Sequence, residues 1–144
     1  MVQVEKIAEV MGGETVLGQP VHSIEDLSHA VARGLPKDAL RKTVCRIFPD
    51  AKQRRLILYR IVPEATYKRR RRLLKAGESE RTERLARVVA AAEFVWNDPE
   101  KARHWLVKPH PELGNRAPVE LALSELGARQ VEDLLDRFYY GLPI

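Results

Sequence analysis

The 144 residues predict an all-α protein, and three observations carry that prediction. Apolar residues recur at helical spacing along most of the chain. Prolines, glycines and capping residues cut it into pieces of helical length. Strand-like alternation is nearly absent: Val16-Leu17 and Val21 are fragments within an irregular stretch over 14–22. The composition, 44% hydrophobic and 31% charged, is that of a chain able to bury a core.

The pieces follow in order. Val4, Ile7, Ala8 and Met11 form a first stripe, stopped by Gly12-Gly13. Ser23, with Asp26 three residues on, opens a helix carrying Ile24, Leu27 and Val31 that ends near Gly34. Pro36 fits the first turn of the next, whose stripe is Leu40, Val44, Ile47 and Phe48. A third helix over about 51–60 carries Leu56, Ile57 and Tyr59, and Pro63 starts a fourth that runs to about Lys75 and closes at Gly77. Ser79 is the expected cap of a longer helix reaching Trp96. Asn97-Asp98-Pro99 restarts the chain into a short helix ending at Val107. After the proline-bounded loop 109–116, Pro118 opens another short helix closed by Gly127, and a last one spans about 129–140 before Gly141. The longer helix is apolar on nearly every side over Val88–Trp96, so it must be covered all round. Either a second copy or a helical hairpin within the chain supplies that cover.

Charge is segregated. The chain carries 25 basic and 20 acidic residues, a net +5, yet residues 41–75 alone hold 13 basic against 2 acidic groups. That block is +11 and the remainder is −6. Lys52, Arg54, Arg55 and Arg60 load the third predicted helix, and Lys68-Arg69-Arg70-Arg71-Arg72 the fourth. A helix, a short turn and a basic helix form the layout that seats a second helix in the DNA major groove. Lys and Arg neutralise phosphates, and Arg adds bidentate contacts to guanine. Successive helical residues lie about 100° apart, so five cations in a row cannot all face one groove.

Other classes are harder to build. The single cysteine, Cys45, excludes an intramolecular disulfide and any Cys-based zinc site. The nearly apolar run Val88–Trp96 is nine residues, where a membrane span needs roughly 20. The first six residues lack the layout of a secretory signal, so the expected setting is cytoplasmic with no membrane partner. His22, His29, His104 and His110 show no paired ligand spacing, and the glycines show no phosphate-cradling pattern. No catalytic residue, metal ligand or cofactor is therefore assigned, and the chain is not expected to be an enzyme.

An ordered set of residues then becomes recognisable. It includes Leu17-Gly18, Asp26-Leu27 and Gly34-Leu35-Pro36 in the first half. In the second it runs through Arg84-Leu85-Ala86-Arg87, Asp98, Lys101-Ala102-Arg103 and Trp105-Leu106, then Pro111, Leu113-Gly114, Arg116, Pro118 and Leu121. Glu125, Gly127, Val131, Leu134-Leu135 and Tyr140-Gly141 complete it. The pattern resembles the antitoxins of the Xre/MbcA/ParS class, which partner RES-domain toxins. Asn115 stands where a second glycine is usual; asparagine tolerates positive φ, so the loop is expected to survive. Leu56 and Arg60 replace the small residue and turn glycine of a regular helix-turn-helix unit.

The resemblance implies an Xre-like helix-turn-helix bundle over 1–77, with its DNA-binding unit at about 51–75, followed by a toxin-binding and dimerisation domain over 78–144. It implies a type II antitoxin that blocks an NAD-consuming or ADP-ribosylating RES toxin and autoregulates its operon as a homodimer. The residues expected to meet operator DNA are Arg54, Arg55, Thr66, Tyr67, Lys68, Arg69, Arg70, Arg71 and Arg72. Those expected to enter the toxin are Tyr139, Tyr140, Gly141, Leu142, Pro143 and Ile144, two aromatics and an apolar tail stiffened by proline. The competing role for that end has Phe138 and one tyrosine sealing the chain's own core. Val88, Val89, Phe94, Val95 and Trp96 are the expected dimerisation residues. The alternative function is a stand-alone dimeric helix-turn-helix transcriptional regulator.

Overall fold

A computed structural model describes residues 2–141. Among them the chain forms α1 (Val4–Val10), α2 (Gly13–Leu17), α3 (Ile24–Arg33), α4 (Lys37–Ile47), α5 (Ala51–Ile61) and α6 (Glu64–Arg69). There follow α7 (Ala76–Trp96), α8 (Pro99–Val107), a 3₁₀ turn (Pro111–Leu113), α9 (Pro118–Leu121) and α10 (Glu125–Tyr140). The described residues contain no strand, only two isolated bridges, so the all-α expectation holds.

Helix α7 is the axis. It packs against α1, α3, α4 and α5 on one side of the sequence and α8 and α10 on the other. Leu85, Ala86 and every residue from Val88 to Glu93 are buried. The three alanines Ala90–Ala92 keep the axis thin enough for helices to approach from several directions. The cover for this all-round apolar helix thus comes from its own chain. Val88 and Val89 are wholly enclosed there, which removes them from any surface offered to a second copy; Phe94, Val95 and Trp96 remain partly open.

One acid sits in that wall. Glu93 is buried, accepts from Arg46 Nε of α4 at 3.0 Å and from a second Arg46 nitrogen, and lies 2.9 Å from Lys6 Nζ of α1. Burial pushes its carboxyl up, but the hydrogen bonds from Arg46 and Lys6 outweigh burial and hold it below the usual carboxylate range. The Arg46 guanidinium, held by the same hydrogen bond to Glu93, is pushed up in turn. Three helices from distant parts of the sequence therefore share one buried charge cluster.

The segment after α6 departs from expectation. The fourth helix stops at Arg69, and Arg70–Leu74 leaves it as an extended segment, bent at Arg71-Arg72 and bridged at Leu73, beside the α3–α4 junction. Leu74 N–H donates to Leu35 O, and Lys37 N–H to Arg72 O, both at 2.8 Å. Pro36 occupies the bridge position between these bonds, where its missing N–H is not required. Gly34 is obligatory: its φ is +102°, and a Cβ there would lie 2.5 Å from Leu74 O. Arg70 turns back and forks onto Glu78 at 3.1 and 2.9 Å. This pull, and the ladder to residues 35–37, end the helix that propensity alone would continue.

Helix α7 accordingly starts earlier than Ser79. Its first turn includes Gly77, and Glu78 accepts the Lys75 N–H at 2.8 Å. Ser79 is fully buried and accepts the Leu35 N–H at 2.8 Å instead. Residues 13–17 form α2 where an irregular stretch was expected. Ser124 accepts the Gly127 N–H at 3.1 Å, so Gly127 lies in the first turn of α10 rather than closing the preceding helix. A Cβ at Gly127 would collide with Leu121 O, which is why the two helices can meet so closely.

Replacing Glu93 by Gln should destabilise the protein by about 3 kcal/mol at pH 7, because two buried-side cations lose their counter-charge. The Glu93 pKa is lowered, so its contribution is complete above the ordinary value of 4.5 and disappears as pH falls through the folded value. The stability gap between wild type and E93Q, from urea denaturation at a series of pH values, should narrow below about 4.5. A gap independent of pH would contradict the buried ionised carboxylate.

Candidate functional site

Two surfaces stand out, built from different parts of the chain. The first gathers where α7, α8 and α10 finish. Asp98 caps α8 by accepting the Glu100 N–H at 2.9 Å, and Pro99 follows in its first turn. The loop after α8 is locked by His110 and Arg116: the His110 N–H donates to Arg116 O at 3.2 Å, and the Glu112 N–H donates to His110 Nδ1 at 3.1 Å. Asn115 adopts φ +61° beside Gly114 at +65°, the left-handed pair the sequence pattern called for. This locked loop carries the His110 ring to 5.9 Å from Phe138 and 6.3 Å from Trp105. Trp96 completes the cluster, 5.8 Å from Phe138 and 6.3 Å from Trp105.

Phe138 therefore closes the chain's own aromatic cluster. Tyr139 and Tyr140 do not enter it. Tyr139 is 48% exposed and Tyr140 63%, their rings 5.0 Å apart, and Tyr139 stacks at 5.1 Å on Phe94, itself 38% exposed. Three open aromatics with their backing fixed by α7 and α10 make a contact surface rather than a core. Gly141 ends α10 in a left-handed conformation. Leu142, Pro143 and Ile144, the rest of the expected toxin-entering tail, lie outside the described residues.

Ion pairs hold α10 in place along α7. Arg84 meets Glu125 at 3.1 Å, and Arg87 meets Glu132 at 3.4 Å and Glu83 at 3.8 Å. Burial pushes the Glu83 and Glu132 carboxyls up, and Arg87, placed between them, pulls both back. Burial also raises Asp136, with Asp133 adding to the shift.

The second surface is basic, and the structure sorts its predicted residues. Arg54 is spent on the α4–α5 loop, donating to Phe48 O at 2.7 Å and to Pro49 O. Arg70 is spent on Glu78. Lys68 pairs with Glu64 one turn back at 2.8 Å, and Arg69 lies exposed beside it. Thr66 is half-buried, and Arg55 stands exposed on α5 with Leu56. Leu56 can occupy a place usually kept for a small residue because it points to solvent. Tyr67 is half-buried under Lys37, whose Nζ lies 4.4 Å from the ring centroid. Burial and the nearby Asp38 carboxylate push the Tyr67 phenol up. Arg71 and Arg72 are not on the helix at all; the extended segment carries them to α4, beside Lys37, Arg41 and Lys42. Nothing in the local pattern of α4 marked those three, because their neighbours come from 30 residues further along the chain.

Among the described residues no group of three or more His, Cys, Asp and Glu side chains gathers to hold a metal ion. No helix among them is long and apolar enough to cross a membrane.

Residues 91–141 match the family described as the antitoxin Xre/MbcA/ParS C-terminal toxin-binding domain. The matched span starts at Ala91, within the last six residues of α7, and ends at the α10 cap, so it contains the whole aromatic end. A protein named Antitoxin Xre from Pseudomonas putida is 35% identical over 78 residues, 52% of this chain and 49% of its own length. Another Antitoxin Xre, from Yersinia enterocolitica, is 41% identical over 66 residues, 45% of each chain. The chain thus spans about half the length of the curated relatives it matches.

The division of labour at the end of α10 is measurable. Replacing Phe138 by Ala should cost about 2 kcal/mol in denaturant unfolding, because it opens the Trp96–Trp105–His110 cluster. Tyr140→Ala should stay within about 0.5 kcal/mol of wild type. Equal losses at both positions would mean that the terminal tyrosines are core residues.

Proposed function

We propose that this chain, whose residues 91–141 match the antitoxin Xre/MbcA/ParS C-terminal toxin-binding domain, is an antitoxin that neutralises a cognate RES-domain toxin by filling its substrate pocket with the C-terminal end of α10. The observation that carries the reading is the open aromatic pair Tyr139 and Tyr140 on a helix end anchored by Phe138. Rigid aromatics bury large area at small entropic cost, and a pocket that binds NAD offers flat faces for such rings. Gly141, Leu142, Pro143 and Ile144, which follow Tyr140 in the sequence, belong to the same proposed plug. Occlusion of this kind asks no catalysis of the antitoxin itself. In this reading the toxin consumes NAD or transfers ADP-ribose, and the complex forms in the cytoplasm.

The same protein represses its own operon through the basic end. Arg55, Lys68 and Arg69 on α5 and α6, with Arg71 and Arg72 beyond them, supply the phosphate contacts, and Thr66 and Tyr67 lie on the helix that would face the groove. A homodimer would present two such ends to a palindromic operator, with Phe94, Val95 and Trp96 the apolar residues left for the dimer contact.

Co-expression with the product of the adjacent gene tests the first role. Wild type should restore growth, whereas a chain lacking Leu142–Ile144 and carrying Tyr140→Ala should lose neutralisation and bind the purified toxin at least tenfold more weakly. Full neutralisation by that variant would end the pocket-filling reading, and failure of wild type itself to neutralise would leave the stand-alone regulator in its place.

A further inference from the structure

Two sets of cations stand out in and beside the basic block. Arg46, Arg54, Lys68 and Arg70 each have a partner close by: Glu93, two backbone carbonyls, Glu64 and Glu78. Lys37, Lys42, Arg71 and Arg72 have no carboxylate within ion-pair distance among the described residues, and Arg41 has only Asp38, at 3.1 Å. All five of these line one cleft of about 600 Å³ between α4 and the extended segment, with Tyr67 as its aromatic wall. Their charge against Asp38 leaves +4 in a space that size.

Like charges so close repel, and the fold does nothing to spread them. It holds them together. The extended segment is fixed to α4 by the Leu74–Leu35 and Lys37–Arg72 backbone bonds, and Gly34 permits that approach. Lys37 lies over the Tyr67 ring, and the Tyr67 hydroxyl donates to Lys37 O at 3.4 Å. Two arginines on a fixed extended backbone and two lysines on a helix face are thus arranged before any ligand arrives.

We propose that this cleft is a phosphate-binding site built jointly by α4 and the extended segment, separate from the α5–α6 helix pair. Arginine forks take two phosphate oxygens at once, lysines neutralise without directional demand, and a cleft of this volume accommodates a phosphorylated sugar. The phosphate comes from the DNA backbone or from a free phosphorylated ligand. For the DNA source, the inference rests on the promoter-binding role described above.

The full-length protein is compared with Arg41→Ala/Lys42→Ala, with Arg72→Ala, with Arg55→Ala/Lys68→Ala on α5–α6, and with the remote control Arg129→Ala. Circular dichroism verifies each fold. Fluorescence anisotropy with a duplex of the upstream promoter, over a series of salt concentrations, reads the first source. Calorimetry with sodium pyrophosphate reads the second. If DNA is the source, the double cleft variant should lower the log–log salt slope by about 0.9 per lost contact, roughly 1.8 in all. If a free phosphate is the source, pyrophosphate should bind wild type and Arg129→Ala but bind the cleft variants at least tenfold more weakly. Duplex binding that falls in the α5–α6 variant but not in the cleft variants, with no pyrophosphate binding, overturns the cleft and leaves the promoter role standing. Pyrophosphate binding lost in the cleft variants, in a protein that ignores the duplex, upholds the cleft and overturns the promoter role. No binding of either probe overturns both.

Discussion

Much in this chain hangs on the enclosure of one stretch of helix. Val88–Glu93 of α7 is buried at every position, so helices before and after it in sequence must both pack on it. The alanines Ala90–Ala92 make room for that crowd, and Glu93 orients it. A buried carboxylate with Lys6 on one side and Arg46 on the other is a poor source of net stability, but it penalises arrangements that leave the charge unpaired. Its value lies in fixing which faces of α1 and α4 meet α7.

Once that register is set, the two outward-facing ends acquire different chemistry. At the end formed by α7, α8 and α10, Phe138 is used up by Trp96, Trp105 and His110, and what projects is the pair of rings beyond it. At the other end the distinction is electrostatic. Arg46, Arg54, Lys68 and Arg70 are matched to carboxylates or carbonyls, whereas Lys37, Arg41, Lys42, Arg71 and Arg72 gather against one carboxylate, Asp38. The +11 block of the sequence thus contains cations the fold uses and cations it leaves unmatched.

Much of the fold was legible because local chemistry decides it. Asn97-Asp98-Pro99, Ser23 with Asp26, and Asn115 beside Gly114 each act through neighbours a few residues away, and each does what its pattern indicates. The elements that escaped are settled by distant partners. The helix expected to reach Lys75 is cut short by Glu78 and by the backbone at residues 35–37; Ser79, an obvious cap by type, is taken by the Leu35 N–H. Gly127 reads as a helix end until the carbonyl of Leu121 occupies the space of its absent side chain. The apolar run in α7 announced that it needed cover but not whose. For the basic surface, Arg71 and Arg72 could be singled out from the run of cations. Their companions on α4 could not, because adjacency in space across 30 residues leaves no periodic trace.

The similarity to the antitoxin domain begins at Ala91, within the last six residues of α7, with no loop or gap at that point. The likeness therefore starts inside a continuous helix that also packs against α1, α3, α4 and α5. A chain assembled by swapping interchangeable modules would change character at a flexible joint. Here the matched span and the helices before it share one continuous core. A substitution on α1, α3 or α4 that repacks against α7 is felt by the helix that leads into the matched span, and the reverse holds equally. The two surfaces are therefore free to differ from each other only on their outer faces, because both rest on one axle.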